Sequence, residues 1–200
     1  AGSASFHAAD FASIEAVHAF ADLVAAEYPR LDLLVNNAGV LVAGERRTSA
    51  DGHELQFAVN YLAGWILVHK LRPNLVAAAP SRVVNVSSIA ANAIEFDDVM
   101  LERPGAASRG YGQSKLAQVS MTVELAPSFA EDGITMIAVH PATMMDTTMV
   151  RGLGANPMTG VDEGRGPACG DRFGALVGAE RVRAARDDDA RKGQRGRGHP

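Results

Sequence analysis

The sequence predicts a layered α/β fold with a doubly wound parallel sheet. Three short runs, at residues 31–35, 82–86 and 134–139, are almost continuously apolar and rich in β-branched residues. Such runs are typical of strands that are buried on both faces of a parallel sheet. Two longer segments between them, about 51–79 and 111–129, have the pattern of helices. Strands that alternate with helices in this way indicate an α/β fold.

The first predicted elements are a short strand at residues 4–9 and an amphipathic helix. Ser13 is a favourable N-cap residue for this helix, and Pro29 ends the pattern. The apolar residues recur at spacings of three and four, which places them on one face. They are Ile14, Val17, Phe20, Ala21, Val24, Ala25 and Tyr28. Further along, Pro73 is expected to break the helical segment at 51–79.

Composition excludes several classes of protein. No run of about 18 apolar residues is present, so no membrane span is predicted, and the N-terminus lacks the pattern of a secretory signal. Cys169 is the single cysteine, which excludes an internal disulfide and a cysteine-rich metal site. The acidic excess of residues 1–150 gives no indication of nucleic-acid binding, and no histidine pair has the spacing of a metal site. The expected location is the cytoplasm.

We predict one domain over residues 1–164 and a disordered or atypical tail over residues 165–200. Gly, Ala, Arg and Asp dominate the tail, and three consecutive aspartates precede a repeat of Arg and Gly. One interpretation is non-native sequence, for instance from a shifted reading frame. The other is a basic arm that binds nucleic acid, which the aspartates and the scarcity of aromatic residues disfavour.

Polar residues follow each of the three predicted strands of the sheet. Asn36-Asn37, Ser87-Ser88 and His140-Pro141 stand directly after the apolar runs. The carboxyl ends of parallel strands share one edge, and ligands of open α/β sheets bind beyond that edge. We therefore predict the functional site there.

Tyr111 and Lys115 are the candidate catalytic pair. They stand four residues apart at the start of a helical segment, so they share one helix face. A free phenol titrates near ~10, and a neighbouring cation favours the phenolate. The spacing therefore predicts a tyrosine whose pKa is low enough for acid and base catalysis. The alternative is a surface pair that happens to lie one turn apart.

Together these elements resemble the short-chain dehydrogenase/reductase family over about residues 4–160. Several features in the expected order carry the resemblance. They are Asp10 after the first strand, the NNAG element Asn36-Asn37-Ala38-Gly39, Asn60 in a helix, Ser88 at a strand end, the YxxxK pair Tyr111 and Lys115, and His140-Pro141-Ala142 with Thr147. The resemblance implies a Rossmann-like fold.

The resemblance also implies an NAD(P)-dependent oxidoreductase that interconverts an alcohol and a carbonyl by hydride transfer. Tyr111 would be the general acid and base, and Lys115 would stabilise the phenolate and bind the nicotinamide ribose. Ser88 would hold the substrate oxygen, and Asn60 would hold a water that links Lys115 to solvent. The implied cofactor is NAD or NADP, with no preference readable from the sequence.

A set of cofactor-binding residues follows from the same resemblance. Asp10 would contact the adenine ring. The remaining cofactor-binding residues are Asn37, Ala38, Gly39, Tyr111, Lys115, Pro141, Ala142 and Thr147. Ala142 stands where the family has glycine, and its methyl group narrows backbone freedom close to the expected carboxamide.

Four of these assignments have structural alternatives. Ser87 could be the working serine. Asn60 could serve only to bind backbone groups, and Asn36 and Asn37 could stabilise the turn at the strand end. Asp10 could cap the first helix.

The glycine-rich TGxxxGxG turn of the family is not found in the sequence. We therefore expect an N-terminally truncated domain that begins just before the third strand of the family. That arrangement would leave the strand at 31–35 with an open edge. The alternative function is an inactive fragment that binds no cofactor and serves at most as a scaffold or interaction piece.

Residues 94–103 predict an inserted, partly apolar loop between Ser88 and Tyr111. This layout resembles retinol-dehydrogenase-like and related bacterial oxidoreductases, which implies a small, lipophilic alcohol or carbonyl substrate. The segments 51–79 and 111–129 correspond to surfaces that such enzymes commonly pair, so a homo-oligomer is an expected assembly.

Overall fold

The computed structural model describes residues 3–152 and 154–161. The predicted tail at 165–200 and the predicted domain boundary at residue 164 lie outside the described residues. The described part of the chain contains one parallel sheet and the helices that pack on it.

The sheet has three parallel strands in the order β1-β2-β3. Strand β1 is Leu33–Asn36, β2 is Ser81–Val86 and β3 is Ile134–Val139. The three apolar runs identified in the sequence are thus confirmed as strands, with β1 beginning two residues later than expected. Parallel pairing with helical crossovers confirms the predicted α/β class.

Helices connect the strands, as the sequence predicts. They are α1 (Ile14–Glu27), α2 (Leu55–Phe57), a π-helix (Ala58–Leu62), α3 (Ala63–Lys70), α4 (Arg72–Ala77), a 3₁₀-helix (Ala106–Arg109), α5 (Gly110–Glu131) and α6 (Thr148–Gly152). The Ser13 hydroxyl caps α1 by accepting a hydrogen bond from the Ala16 N–H at 3.3 Å. The predicted break near Pro73 lies at Leu71, and Pro73 occupies the first turn of α4, where a missing N–H is tolerated. None of the described helices combines the length and the apolarity needed to cross a membrane.

The main hydrophobic core lies on one face of the sheet. Leu34, Val83 and Met136 lie side by side in the strand register, so they point to the same face. They pack with residues of α3, α4 and α5, among them Val68 and Phe129, which are fully buried. Helix α1 adds a second apolar cluster against α3. The helices that precede β1, β2 and β3 therefore share this face.

Residues 4–9 do not form a strand, so that prediction is wrong. Phe6 is 90% exposed, and no described strand runs beside the segment. A strand is stable only when a neighbour satisfies its backbone N–H and C=O groups. An apolar segment without a neighbouring strand therefore does not form a strand.

The prediction of strands buried on both faces is wrong for β1. Leu33 and Val35 are 53% and 47% exposed, whereas Leu34 between them packs against the core. In the described part of the chain the long helices pack on the face that carries Leu34. The opposite face of β1 is therefore open, and β1 lies at an edge of the described sheet.

A chain of buried polar side chains joins α5 to the sheet. The Asn36 amide Nδ2 donates to Asn85 Oδ1 at 2.8 Å, and Asn85 Nδ2 donates to Thr122 Oγ1 at 2.8 Å. The Thr122 hydroxyl donates in turn to the Gln118 backbone carbonyl at 2.8 Å. Because these groups are buried, each hydrogen bond also avoids the cost of an unpaired polar atom. The chain of bonds fixes α5 in position against β1 and β2.

We predict that Asn85→Ala lowers the free energy of unfolding by about 2–4 kcal/mol, because it leaves the buried Asn36 amide without its acceptor and removes the bond to Thr122. Urea denaturation monitored by circular dichroism measures this loss. Asn37→Ala is the matched control, since Asn37 is exposed, and its effect should stay within about 0.5 kcal/mol. Equal stabilities for the two variants would contradict the structural role of Asn85.

Candidate active site

Four elements bring the candidate residues together at the carboxyl ends of β1 and β2. Ser88 follows β2, Tyr111 and Lys115 lie in the first turns of α5, and Asn60 lies in the π-helix. Gly39 follows β1, and a Cβ at Gly39 would stand 3.3 Å from Asn60 Oδ1 and 3.6 Å from Lys115 Nζ. The sequence prediction of a site at this edge of the sheet is therefore matched by the geometry.

Glycines on both sides of Tyr111 allow α5 to begin in close contact with its surroundings. A Cβ at Gly110 would stand 2.4 Å from Gln56 Nε2, and a Cβ at Gly112 would stand 2.7 Å from the Ala90 carbonyl oxygen. The contact at Gly112 is with backbone, so this position requires the absence of a Cβ, whereas a Cβ at Gly110 would displace the end of the Gln56 side chain. The first turn of α5 thereby packs against α2 and the loop that carries Ser88.

Lys115 is a buried cation at the centre of the cluster. Its side chain is only 4% exposed, and Nζ donates to the Val86 carbonyl at 2.7 Å and to Gln118 Oε1 at 3.0 Å. Nζ also lies 5.7 Å from the centre of the Tyr111 ring, within cation–π distance. Burial disfavours the charged form and lowers the pKa of Lys115 from 10.5 to about 8.

Tyr111 is half-buried, and its pKa differs from the sequence expectation. Burial raises the pKa of the Tyr111 phenol above its usual 10.0, and a side-chain hydrogen bond with Ser88 acts in the lowering direction without reversing it. The prediction of a lowered Tyr111 pKa is therefore wrong, because desolvation is the largest effect on this group and it raises the pKa. At neutral pH the phenol is protonated, which suits a proton donor.

The two adjacent serines have different partners. The Ser87 hydroxyl is buried and donates to the Lys115 backbone carbonyl at 2.8 Å, so it joins β2 to α5. The Ser88 hydroxyl accepts from the Ala90 N–H at 3.1 Å, and it is the serine that lowers the pKa of the Tyr111 phenol. The structure thus brings Ser88, and not Ser87, to the phenol.

Asn60 is fully occupied by protein contacts. Its Oδ1 accepts from the Val40 N–H at 2.7 Å, and its Nδ2 donates to the Val40 carbonyl at 3.0 Å and to Ser114 Oγ at 3.0 Å. The Ser114 hydroxyl donates to the Tyr111 carbonyl at 2.7 Å. These contacts match the structural alternative for Asn60, in which it binds backbone groups. Asn60 thereby joins the turn after β1 to the first turn of α5.

Asp10 and Asn37 lie at exposed positions. Asp10 Oδ1 accepts from the Ala12 N–H at 2.9 Å, so its carboxylate stabilises the turn before α1. The N-cap of α1 is Ser13, which means that the capping role considered for Asp10 is wrong. Asn37 and Ala38 stand in the open at the end of β1, while the neighbouring Asn36 is buried in the polar chain.

The segment after β3 makes contacts of its own. Pro141 and Ala142 are partly buried, and His140 Nε2 lies 3.1 Å from Thr143 Oγ1. Burial lowers the pKa of His140, which favours its neutral form. Thr147 caps α6, since its Oγ1 accepts from the Val150 N–H at 3.4 Å. No hydrogen bond among the described residues joins this segment directly to Tyr111 or Lys115.

A family model described as short chain dehydrogenase matches residues 1–157. The chain belongs to the short-chain dehydrogenase family. Human retinol dehydrogenase 13 is 42% identical over 135 residues, which are 66% of this chain and 40% of that protein. Mouse retinol dehydrogenase 12 is 38% identical over 138 residues, which are 68% of this chain and 43% of that protein. The chain thus spans about two fifths of the length of these curated relatives.

Solved structures of the family share the fold of this chain. The NADPH-bound carbonyl reductase from chicken fatty liver is 25% identical, with a TM-score of 0.62 over 84% of this chain and 69% of that chain. A metagenomic short-chain oxidoreductase in complex with NADP is 28% identical, with a TM-score of 0.54 over 71% of this chain and 61% of that chain. These likenesses confirm the predicted doubly wound, Rossmann-like fold.

Two glutamines near the site were missed by sequence reasoning. Gln118 accepts from Lys115 Nζ, and its spacing of three residues from Lys115 on one helix was the available signal. Gln113 holds the loop at 94–103, since its Oε1 accepts from the Glu95 N–H at 2.9 Å and its Nε2 donates to the Val99 carbonyl at 2.7 Å. That loop is confirmed as a segment without helix or strand.

The donor set of the site fits the nicotinamide-ribose end of a dinucleotide cofactor. The ammonium of Lys115, the phenol of Tyr111 and the hydroxyl of Ser88 are hydrogen-bond donors suited to ribose and carbonyl oxygens. Gly39 leaves space beside Lys115 Nζ that a Cβ would fill. The fit covers this end only, because the described residues contain no glycine-rich turn from strand to helix.

The lowered pKa of Lys115 predicts a pH dependence of stability. Between about 8 and 10.5 the unfolded chain binds more protons at this lysine than the folded chain, so stability rises with pH across that window. The rise amounts to about 3 kcal/mol at most. Urea unfolding at several pH values measures it, and Lys115→Met should abolish it.

Lys70→Met is the matched control, because Lys70 lies on α3 and pairs with Asp22 at the surface. This variant should keep the rise of stability with pH. An identical pH dependence in wild type and Lys115→Met would show that Lys115 is not the group responsible.

Proposed function

We propose that the chain is an NAD(P)-dependent oxidoreductase that interconverts a lipophilic alcohol and the corresponding carbonyl compound. The observation that carries this proposal is the cluster in which the Tyr111 phenol, whose pKa Ser88 lowers, lies beside the buried ammonium of Lys115. A protonated phenol between a hydroxyl donor and a cation is suited to deliver a proton to an oxygen held by the serine.

The chemistry divides between the cofactor and the side chains. NADH or NADPH, when bound, supplies the hydride in the reductive direction, and the oxidised form accepts it in the other. Ser88 and Tyr111 hold the carbonyl oxygen of the substrate by hydrogen bonds. Tyr111 gives its proton to that oxygen as negative charge develops there, and Lys115 stabilises the resulting phenolate. In the oxidative direction Tyr111 takes the proton back.

The cofactor would be held by residues on both sides of this cluster. Lys115 and Tyr111 would donate to the nicotinamide ribose, and the turn Asn37-Ala38-Gly39 would line the adjacent space. Pro141, Ala142 and Thr147 are proposed for the carboxamide side, and Asp10 for the adenine. These assignments rest on the family motif and on the position of the residues near the ends of the strands.

The lipophilic character of the substrate is supported by apolar groups near the site. Ile89, directly after Ser88, is 49% exposed, and Phe96 in the loop at 94–103 is 68% exposed. Apolar side chains at the surface beside a polar cluster are typical of ligand-binding sites. The retinol dehydrogenases among the relatives act, by their names, on such an alcohol.

Titration of the 200-residue chain with NADH and with NADPH tests the proposal directly. Saturable binding, seen by nicotinamide fluorescence and by a rise in melting temperature, is the expected result, and the tighter ligand identifies the preferred cofactor. Absence of binding at millimolar cofactor by a folded chain would overturn the proposal. It would favour the alternative of a chain with family architecture and no activity.

We predict that Tyr111→Phe lowers kcat for reduction of a lipophilic aldehyde such as retinal by about 10²–10⁴-fold, the range for loss of a general acid. Stability should change little, and cofactor binding should weaken only by the loss of the one hydrogen bond from the phenol to the ribose. Tyr28→Phe, at the end of α1, is the matched control and should retain full activity. Undiminished turnover in Tyr111→Phe would exclude Tyr111 as the proton donor.

The adjacent serines provide a second test. Ser88→Ala should lower kcat by about 10²-fold or more, and it should raise the pKa of the Tyr111 phenol in the chain without cofactor, because Ser88 holds that pKa down. Ser87→Ala should instead cost about 1 kcal/mol of stability through the lost bond to the Lys115 carbonyl. The opposite pattern would assign the substrate-binding role to Ser87.

A further inference from the structure

Gln118 is a buried polar residue that the proposed reaction does not use directly. It is 2% exposed and lies one helical turn beyond Lys115 on α5. Its Oε1 accepts from Lys115 Nζ at 3.0 Å, and its backbone carbonyl accepts from the Thr122 hydroxyl at 2.8 Å. The only other hydrogen bond described for the Lys115 ammonium goes to the Val86 carbonyl at the end of β2.

We propose that Gln118 is a positioning residue that keeps the Lys115 ammonium charged and directs it toward the cofactor side of the site. The proposal rests on the role of Lys115 in the proposed function. An ammonium has three N–H donors, and two of them are used by Val86 and Gln118. The third is left for a ligand, and Gly39 leaves space open within reach of Nζ.

The surroundings of Lys115 make the Gln118 oxygen important for keeping the ammonium protonated. A buried ammonium without acceptors loses its proton more readily, because hydrogen bonds to the charged form favour it. The groups that face Nζ from the other elements are neutral: the Val86 carbonyl of β2, Asn60 of the π-helix and the turn at Gly39. From α5 itself, Tyr111 is the titratable group in contact, and it is neutral at pH 7.

The position of Gln118 is itself fixed by the sheet. Thr122, which donates to the Gln118 carbonyl, accepts from Asn85 Nδ2 of β2. Strand β2 thus contacts Lys115 through Val86 and fixes Gln118 through Asn85. Strand β2 thereby positions both residues that accept from the ammonium, Val86 and Gln118.

Nuclear magnetic resonance of lysine labelled with ¹³C at Cε tests the inference on the whole chain without cofactor. The chain has three lysines, at positions 70, 115 and 192, and Lys115→Arg identifies the resonance of Lys115 by its loss. Gln118→Leu should lower the pKa of Lys115 by about one unit, and Gln118→Glu should raise it by about one unit or more. The lowering in Gln118→Leu is the decisive result, because a residue that only fills space would not change the pKa of Lys115 when its amide oxygen is removed.

Gln113→Leu is the matched control, since Gln113 is equally buried on the same helix and holds the loop at 94–103. It should leave the pKa of Lys115 unchanged. The inference is overturned if Gln118→Leu and Gln118→Glu shift this pKa in the same direction or leave it within about 0.3 units of wild type. If Gln118→Leu does not fold, Gln118→Met, which also lacks the amide oxygen, decides by the same lowering of the pKa.

The outcome is separable from that of the proposed function. A wild-type chain that fails to bind NADH or NADPH while the Lys115 pKa follows position 118 would overturn the function and keep the positioning role. If cofactor binds, the dissociation constant of the preferred cofactor at pH 8 should increase several-fold in Gln118→Leu, because less of Lys115 is charged. Unchanged affinity with a lowered pKa would overturn the directing part of the inference.

Discussion

The structure depends on the burial of one ammonium group between β2 and α5. Lys115 cannot be placed there without acceptors, and the protein supplies them from the end of a strand and from the next turn of its own helix. The surrounding sequence is adapted to that contact. Gly110 and Gly112 let the start of α5 approach α2 and the Ser88 loop, and Ser87 fastens the backbone of Lys115 to the strand. The proposed reaction uses the same ammonium, so Lys115 has a role both in the packing of α5 against β2 and in catalysis.

Burial favours the neutral form of both Tyr111 and Lys115, although it shifts their pKa values in opposite directions. It raises the pKa of the phenol and lowers that of the ammonium, so both groups move toward their neutral forms. A neutral phenol is ready to give a proton, whereas a lysine with a pKa of about 8 is only partly charged in mildly alkaline solution. The proposed reduction would therefore be favoured at neutral pH, and loss of the charge on Lys115 would limit it on the alkaline side.

Much of this arrangement can be read from the sequence, because it depends on local spacing. The Tyr111 and Lys115 pair follows from the helical repeat, and the polar residues at the strand ends follow from the parallel sheet. The errors concern properties that the chain acquires only on folding. Residues 4–9 have strand composition but no partner strand, and Leu33 and Val35 are apolar on a face that the described helices do not cover. The pKa of Tyr111 depends on desolvation, which no sequence motif encodes. Gln118 was overlooked because a buried amide gives no sign of its partner until the helix is packed.

The π-helix at Ala58–Leu62 limits the changes of length that this helical segment can tolerate. A π-helical turn holds one residue more than an α-helical turn, so it behaves as a single insertion absorbed within a continuous helix. Removing that residue would rotate the side chains on one side of it by about 100° relative to the other. Asn60 lies inside this turn. Its amide oxygen accepts a hydrogen bond from the Val40 N–H, and its amide nitrogen donates one to the Val40 carbonyl. A one-residue deletion here would leave a regular helix and a detached loop after β1. A deletion of one residue in this helix is therefore expected to separate Asn60 from Val40 in this chain.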